Sequence, residues 1–133
     1  MMKEKEKEVQ NYRYTRVYTD ESGETHFEDV EIELLPTIFA PPAPALNLSQ
    51  FLESKRYGFV NAPSGWFGDW HPTPKRQVFI YLSGEMEAKV SDGEVRLFGP
   101  SSVTLVEDTT GKGHVSRVIG DQDVLAVVIQ LED

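Results

Sequence analysis

From Tyr57 to Leu131 the chain is built of short runs of β-branched and aromatic residues, each closed within a few positions by a turn. QVFIYL (77–82) ends at Ser83-Gly84, MEAKV (86–90) ends at SDGE, and VRLF, VTLV, HVSRVI and VLAVVIQL follow. No stretch longer than a turn or two carries the 3.6-residue period of an amphipathic helix. About ten such runs with frequent glycine turns predict an all-β sandwich or barrel. Asp92-Gly93 is the strongest hairpin signal among them, because that dipeptide tolerates the positive φ angles of a two-residue turn.

Upstream, a second β pattern begins at Tyr12. Tyr12, Tyr14, Arg16 and Tyr18 share one face of a period-two strand, with Arg13, Thr15 and Val17 on the other. ESGE (21–24) supplies a turn, and Val30, Ile32 and Leu34 then alternate with Glu31 and Glu33. The segment 36–44, PTIFAPPAP, places prolines at four of nine positions and so cannot be a central strand. It reads as a loop that packs Ile38 and Phe39 over an edge or a barrel mouth. Ser49 has the chemistry of a helix N-cap, and SQFLESKRY reads as a helical turn with Leu52 inward. Residues 1–10 read as a charged, disordered tail, and 11–133 as one barrel domain behind an N-terminal strand extension.

Bulk composition narrows the functional classes. The 133 residues, 39% hydrophobic and 11% aromatic, suffice for one sizeable core. A net charge of −9, with no Lys/Arg cluster longer than a pair, argues against nucleic acid and anionic membranes as partners. No apolar run approaches the length of a membrane helix, and the N-terminus lacks the apolar region of a secretory signal. The absence of cysteine removes disulfides, thiolate metal sites and cysteine nucleophiles, and is compatible with a reducing cytoplasm.

Residues with chemistry gather in two places. His71 precedes Gln77 by six positions, and Pro72 and Pro74 stiffen the approach between them. Strand alternation puts Gln77, Phe79 and Tyr81 on one face and Val78, Ile80 and Leu82 on the other. His114 closes GKGH, just after Glu107 and Asp108. Gln77 reads equally as a metal ligand and as a buried amide bonded to the histidines. Glu107 and Asp108 read as strand-end charges or as substitute ligands. Arg76 and Arg117 read as outer-face salt-bridge residues, and His26 as an exposed residue with no role. Trp66 and Trp70 read as strand-end packing or as ligand-stacking residues.

These two clusters resemble the two motifs of the cupin superfamily. Gln77 to Gly84 has the spacing of the glutamate and glycine of the first motif, His71 stands at its first histidine and Thr73 at its second. Gly111 and His114 match the glycine and histidine of the second motif, with Thr109 in place of its proline and Val118 in place of its asparagine. The resemblance covers about half the chain, from Phe67 to Leu131. It implies a double-stranded β-helix jelly-roll barrel whose pocket holds His71, Gln77 and His114 as metal ligands. Thr73, Phe79, Tyr81 and Trp70 would line it for a small-molecule ligand. The cofactor is either a divalent transition metal (Fe, Mn, Ni or Zn) or none, since the motif carboxylate is replaced by a neutral amide.

Two functions follow. One is a polar pocket that binds a small molecule with a degraded metal site. The other is a metal-dependent oxygenase or isomerase acting on a small organic acid or sugar. A barrel that binds nothing is a third. The resemblance also implies a homodimer, with the Tyr12, Tyr14 and Tyr18 face packed across a partner.

Overall fold

The computed structural model describes residues 12–132, and the charged tail assigned to residues 1–10 lies outside them. Twelve strands and no helix make up these residues. None of the described segments is a helix long and apolar enough to cross a membrane.

The architecture is a long hairpin rolled on itself. At its centre the Asp92-Gly93 turn joins β8 (Glu85–Val90) to β9 (Val95–Phe98). Asp92 accepts the Glu94 N–H at 2.8 Å, and Gly93 takes the positive φ of 101° that the turn requires. Outside this pair lie β7 (Gln77–Ser83) with β10 (Val103–Val106), then β6 (Phe67–His71) with β11 (His114–Ile119). The outermost pair is β5 (Arg56–Ala62) with β12 (Val124–Gln130). All four pairs are antiparallel.

The roll closes because β12 also pairs with β7, and β11 with β8. Successive pairs therefore fall in two facing sheets, β10-β7-β12-β5 and β6-β11-β8-β9. That order is a jelly roll. The N-terminal extension lengthens the first sheet to six strands. β1 (Tyr12–Thr19) lies parallel to β10, and β2 (Thr25–Ile32) pairs antiparallel with β1.

Alternation decides which residues enter the core. Val17 on β1 and Phe27 on β2 are directly paired and face inward, joining Tyr81, Met86, Val90, Phe98, Val106, Val118, Val124 and Ala126. Val30 and Ile32 belong to the opposite face of β2, beside Tyr14 and Tyr12. That outer face of the sheet also carries Val78, Ile80, Val103, Leu105, Val127 and Ile129, in alternation with the inward set.

The segment between the extension and the barrel departs from expectation. β3 (Leu35–Thr37) and β4 (Leu46–Leu48) form a two-stranded ribbon apart from both sheets, which suits a strand containing Pro36. Ile38 and Phe39 cover neither an edge nor the barrel mouth. They are 65% and 54% exposed, and Phe39 meets only the ring of Phe51. The helical turn expected from Ser49 does not form. The Ser49 hydroxyl donates to the Gln50 carbonyl, Lys55 N–H is drawn into a bond with the Gln130 carbonyl, and Leu52 is exposed. A single turn gains one backbone bond for three residues fixed, so a competing strand contact prevails.

His26 is likewise not a free surface residue. Its ring is half-buried and bridges Asp20 and Asp92, at 2.7 Å to each. Arg76 and Arg117 take the outer-face roles expected of them, Arg76 on Glu107 and Arg117 on Glu87.

Candidate functional site

His71 ends β6 and His114 begins β11, and the two are register partners. Their rings lie 4.8 Å apart between centroids, inclined at 53°. The backbone that brings them together is specific to glycine. Gly113 has φ 73°, and a Cβ there would collide with the His71 carbonyl and the Pro72 nitrogen. Its carbonyl accepts the buried Thr25 hydroxyl at 2.7 Å. Gly111 packs against the Gly23 backbone, and Lys112 N–H donates to the Gly23 carbonyl at 3.0 Å. Thr73 N–H donates to the Asp108 carbonyl at 3.0 Å, which ties the segment after His71 to the one before His114.

Both imidazoles are oriented from behind. His71 Nδ1 lies 2.6 Å from the Asp69 carbonyl, which only accepts, so Nδ1 is the donor. His114 Nδ1 lies 2.6 Å from Asp108 Oδ2. The Asp108 side chain is 0% exposed, and its Oδ1 has no hydrogen-bond partner. A carboxylate held in this way fixes the ring's tautomer and direction. Each ring therefore presents Nε2 as its unengaged nitrogen, and both line the barrel cavity.

That cavity measures about 290 Å3, near the lower end of the about 300–1,000 Å3 of small-molecule sites. Phe27, Phe79, Tyr81, Met86 and Phe98 form much of its wall. Tyr81 stacks on Phe98 at 5.7 Å and on Phe79 at 6.4 Å between centroids. Exposed Val60, Trp66 and His71 mark its mouth, and buried Val17, Thr104 and Val106 its depth. The pocket is thus walled chiefly by apolar side chains, with its polar groups confined to a few positions.

Two of those positions lie deep. Burial pushes the Tyr81 phenol up to about 12, with the neighbouring Thr104 hydroxyl opposing the shift. The Thr104 oxygen, although close to that phenol, completes no hydrogen bond of ordinary geometry and is shielded from water.

The structure gathers His71, His114, Phe79 and Tyr81 around one cavity. Gln77, Thr73 and Trp70 are not part of its wall. The Gln77 amide is buried and satisfied elsewhere: its nitrogen donates to Thr73 Oγ1 at 3.2 Å, and its oxygen accepts from Gln130 Nε2 at 3.1 Å. Thr73 Oγ1 in turn donates to the Lys75 carbonyl at 2.8 Å. Trp70 is exposed, and Trp66 holds the mouth instead, its ring lying over Gly68 where a Cβ would not fit.

Asp108 faces neither water nor a metal position but the back of His114. Its alternation with Thr104 and Val106 is the sequence signal for that inward direction. Glu107 points the other way and accepts from Arg16 and Arg76. Burial would raise its pKa, but the two guanidiniums hold it below the usual carboxylate range.

The donor set was tested against the transition metal that the resemblance implies. A zinc or iron centre takes at least three protein ligands. The cavity offers two imidazoles, Gln77 is turned into other hydrogen bonds, and Glu107 is bracketed by arginines. Among the described residues no group of three or more histidine, aspartate or glutamate side chains has metal-holding geometry. The residues do not fit such a centre.

Neither a protein-family model nor a curated protein matches the chain. Solved structures do. The cupin domain of Cnp3 from Schizosaccharomyces pombe is 15% identical, with 92% of this chain and 84% of that one covered, at a TM-score of 0.47. A Cupin 2 conserved barrel domain protein from Salinispora arenicola is 14% identical, with 76% of each chain covered, at a TM-score of 0.47. Protein NMB1881 from Neisseria meningitidis is 18% identical, with 57% of this chain and 72% of that one covered, at a TM-score of 0.45. These likenesses are distant. By its strand order, four nested antiparallel pairs rolled into two facing sheets, the chain has a jelly-roll fold.

Proposed function

We propose that the barrel is a binding pocket for a small organic molecule and works without a bound metal. The occupant sets an apolar body against Phe79, Tyr81 and Phe98 and a hydrogen-bond donor against the two histidines. The observation that carries this reading is the placement of two imidazoles on the wall of one aromatic cavity, each ring fixed from behind by the Asp69 carbonyl or by Asp108. A site built of apolar walls and a few oriented polar groups is the usual form of a small-molecule pocket.

Trp66 at the mouth supplies the readout. Titration with p-cresol, followed by tryptophan fluorescence and calorimetry, is expected to show saturable one-to-one binding. The double variant His71→Ala/His114→Ala is expected to weaken it by about tenfold or more, the loss of one or two hydrogen bonds. Elemental analysis of protein purified without a metal-affinity tag separates this reading from a metalloenzyme. Near-stoichiometric iron, manganese, nickel or zinc, lost in the double variant, would overturn it in favour of an oxygenase or isomerase.

A further inference from the structure

The deep end of the cavity has a feature that binding at the histidines leaves unused. Thr104, 2% exposed, lines the cavity with a hydroxyl that completes no hydrogen bond of ordinary geometry. The Tyr81 phenol, also on the cavity wall, stands beside it. Leaving a buried polar group unpaired is destabilising, and an apolar side chain of the same shape would remove that cost. Valine is such a side chain, yet the position holds threonine, directly opposite Phe79 on the neighbouring strand. The pair therefore has the chemistry of a subsite that a ligand completes.

Strand geometry sets its distance from the histidines. Thr104 lies four positions before Asp108, the residue that backs His114. At about 3.3 Å per residue, the two polar points are roughly 10–13 Å apart along the barrel. The rings of Phe79, Tyr81 and Phe98 share the cavity wall with both points. One six-membered ring with polar groups at opposite ends, plus a hydrogen bond of about 2.8 Å at each end, matches that span.

We propose that the pocket takes a single-ring aromatic carrying hydroxyl groups at opposite ends, one against His71 and His114 and the other against Thr104 and Tyr81. This inference rests on the binding-pocket reading above. Its stacking partners are the aromatic walls, and its two hydroxyls satisfy both polar ends of an otherwise apolar cavity.

The test compares two probes that differ by one oxygen, p-cresol and 4-hydroxybenzyl alcohol, by calorimetry on the full chain. The alcohol is expected to bind about five-fold more tightly, although p-cresol is the more apolar, because one further hydrogen bond forms. Thr104→Val and Tyr81→Phe are each expected to cancel that preference, read as the ratio of the two probes' affinities within each variant. Thr104→Ser keeps the hydroxyl and is expected to keep the preference. If Thr104→Val does not fold, as judged by circular dichroism, Tyr81→Phe decides. Equal affinities for the two probes, or a preference that survives in both variants, would overturn the subsite and leave the pocket reading standing. Failure of both probes to bind the unmodified protein at millimolar concentration would overturn both readings.

Discussion

A side chain at position 113 would meet the backbone of His71, and the φ of 73° there is one that L-residues avoid. Gly113 thus holds the two histidine-bearing strands at their separation. Gly93 also has positive φ, at 101°, but a Cβ there would meet open space. Conformational strain alone applies at Gly93, whereas strain and collision combine at Gly113. Gly113→Ala is therefore expected to lower stability by about 2–4 kcal/mol and Gly93→Ala by about 1 kcal/mol. Urea denaturation of the two variants checks the order. A loss for Gly93→Ala equal to that for Gly113→Ala would refute the packing role.

Among elements, Asp20, His26 and Asp92 link the β1–β2 turn to the β8–β9 turn, and so join the N-terminal extension to the barrel. Hydrogen bonds donated to Asp20 and then to Asp92 raise the His26 pKa above its usual value. The bond from His26 and those from Ser22 hold Asp20 well below the usual carboxylate range. Asp92 is lowered chiefly by the Glu94 backbone N–H, and burial opposes the shift. The signs then follow. The His26 contribution is full below its unfolded pKa, near 6.5, and is lost as pH rises through the raised folded value. The two carboxylates contribute above their unfolded pKa values, near 4, and lose that contribution as pH falls through their lowered ones. The link is strongest from about pH 5 to 6.5. His26→Gln is expected to flatten the fall in stability just above that window. Urea midpoints from pH 5 to 9 measure this, and an NMR titration of the His26 ring is expected to give a midpoint above 6.5.

For the whole molecule, the open question is what covers the outer face of the six-stranded sheet. Tyr57 and Phe59 on β5 are 76% and 69% exposed, and Leu82 and Leu125 stand on the same face. Monomeric proteins seldom leave large contiguous apolar patches in water. The tyrosine face of β1 is a poorer candidate than its sequence implied, because Arg16 stacks over Tyr18 and pairs with Glu107. We propose that a homodimer pairs through the β5–β12 region of the sheet. Light scattering at micromolar concentration is expected to give twice the chain mass, and Phe59→Glu the monomer. A monomeric mass for the unmodified protein would refute it.

The barrel was legible in the chain because its determinants are local. Alternation names the inward residues of β7, and Asp92-Gly93 and Ser83-Gly84 name the turns that reverse it. The shared pocket was an expectation from the resemblance, and the structure sets His71, His114, Phe79 and Tyr81 around one cavity. What could not be read there were choices among partners distant in sequence. Gln77 turns to Gln130, 53 positions away, and so leaves the cavity. Trp66 rather than Trp70 takes the mouth because Gly68 leaves room for its ring. His26 is claimed by Asp92, 66 positions on. Period and turn chemistry act over a few residues and are written in order along the chain. Competition for a hydrogen bond is settled only when strands from both ends of the hairpin are rolled together, so the tertiary structure alone decided it.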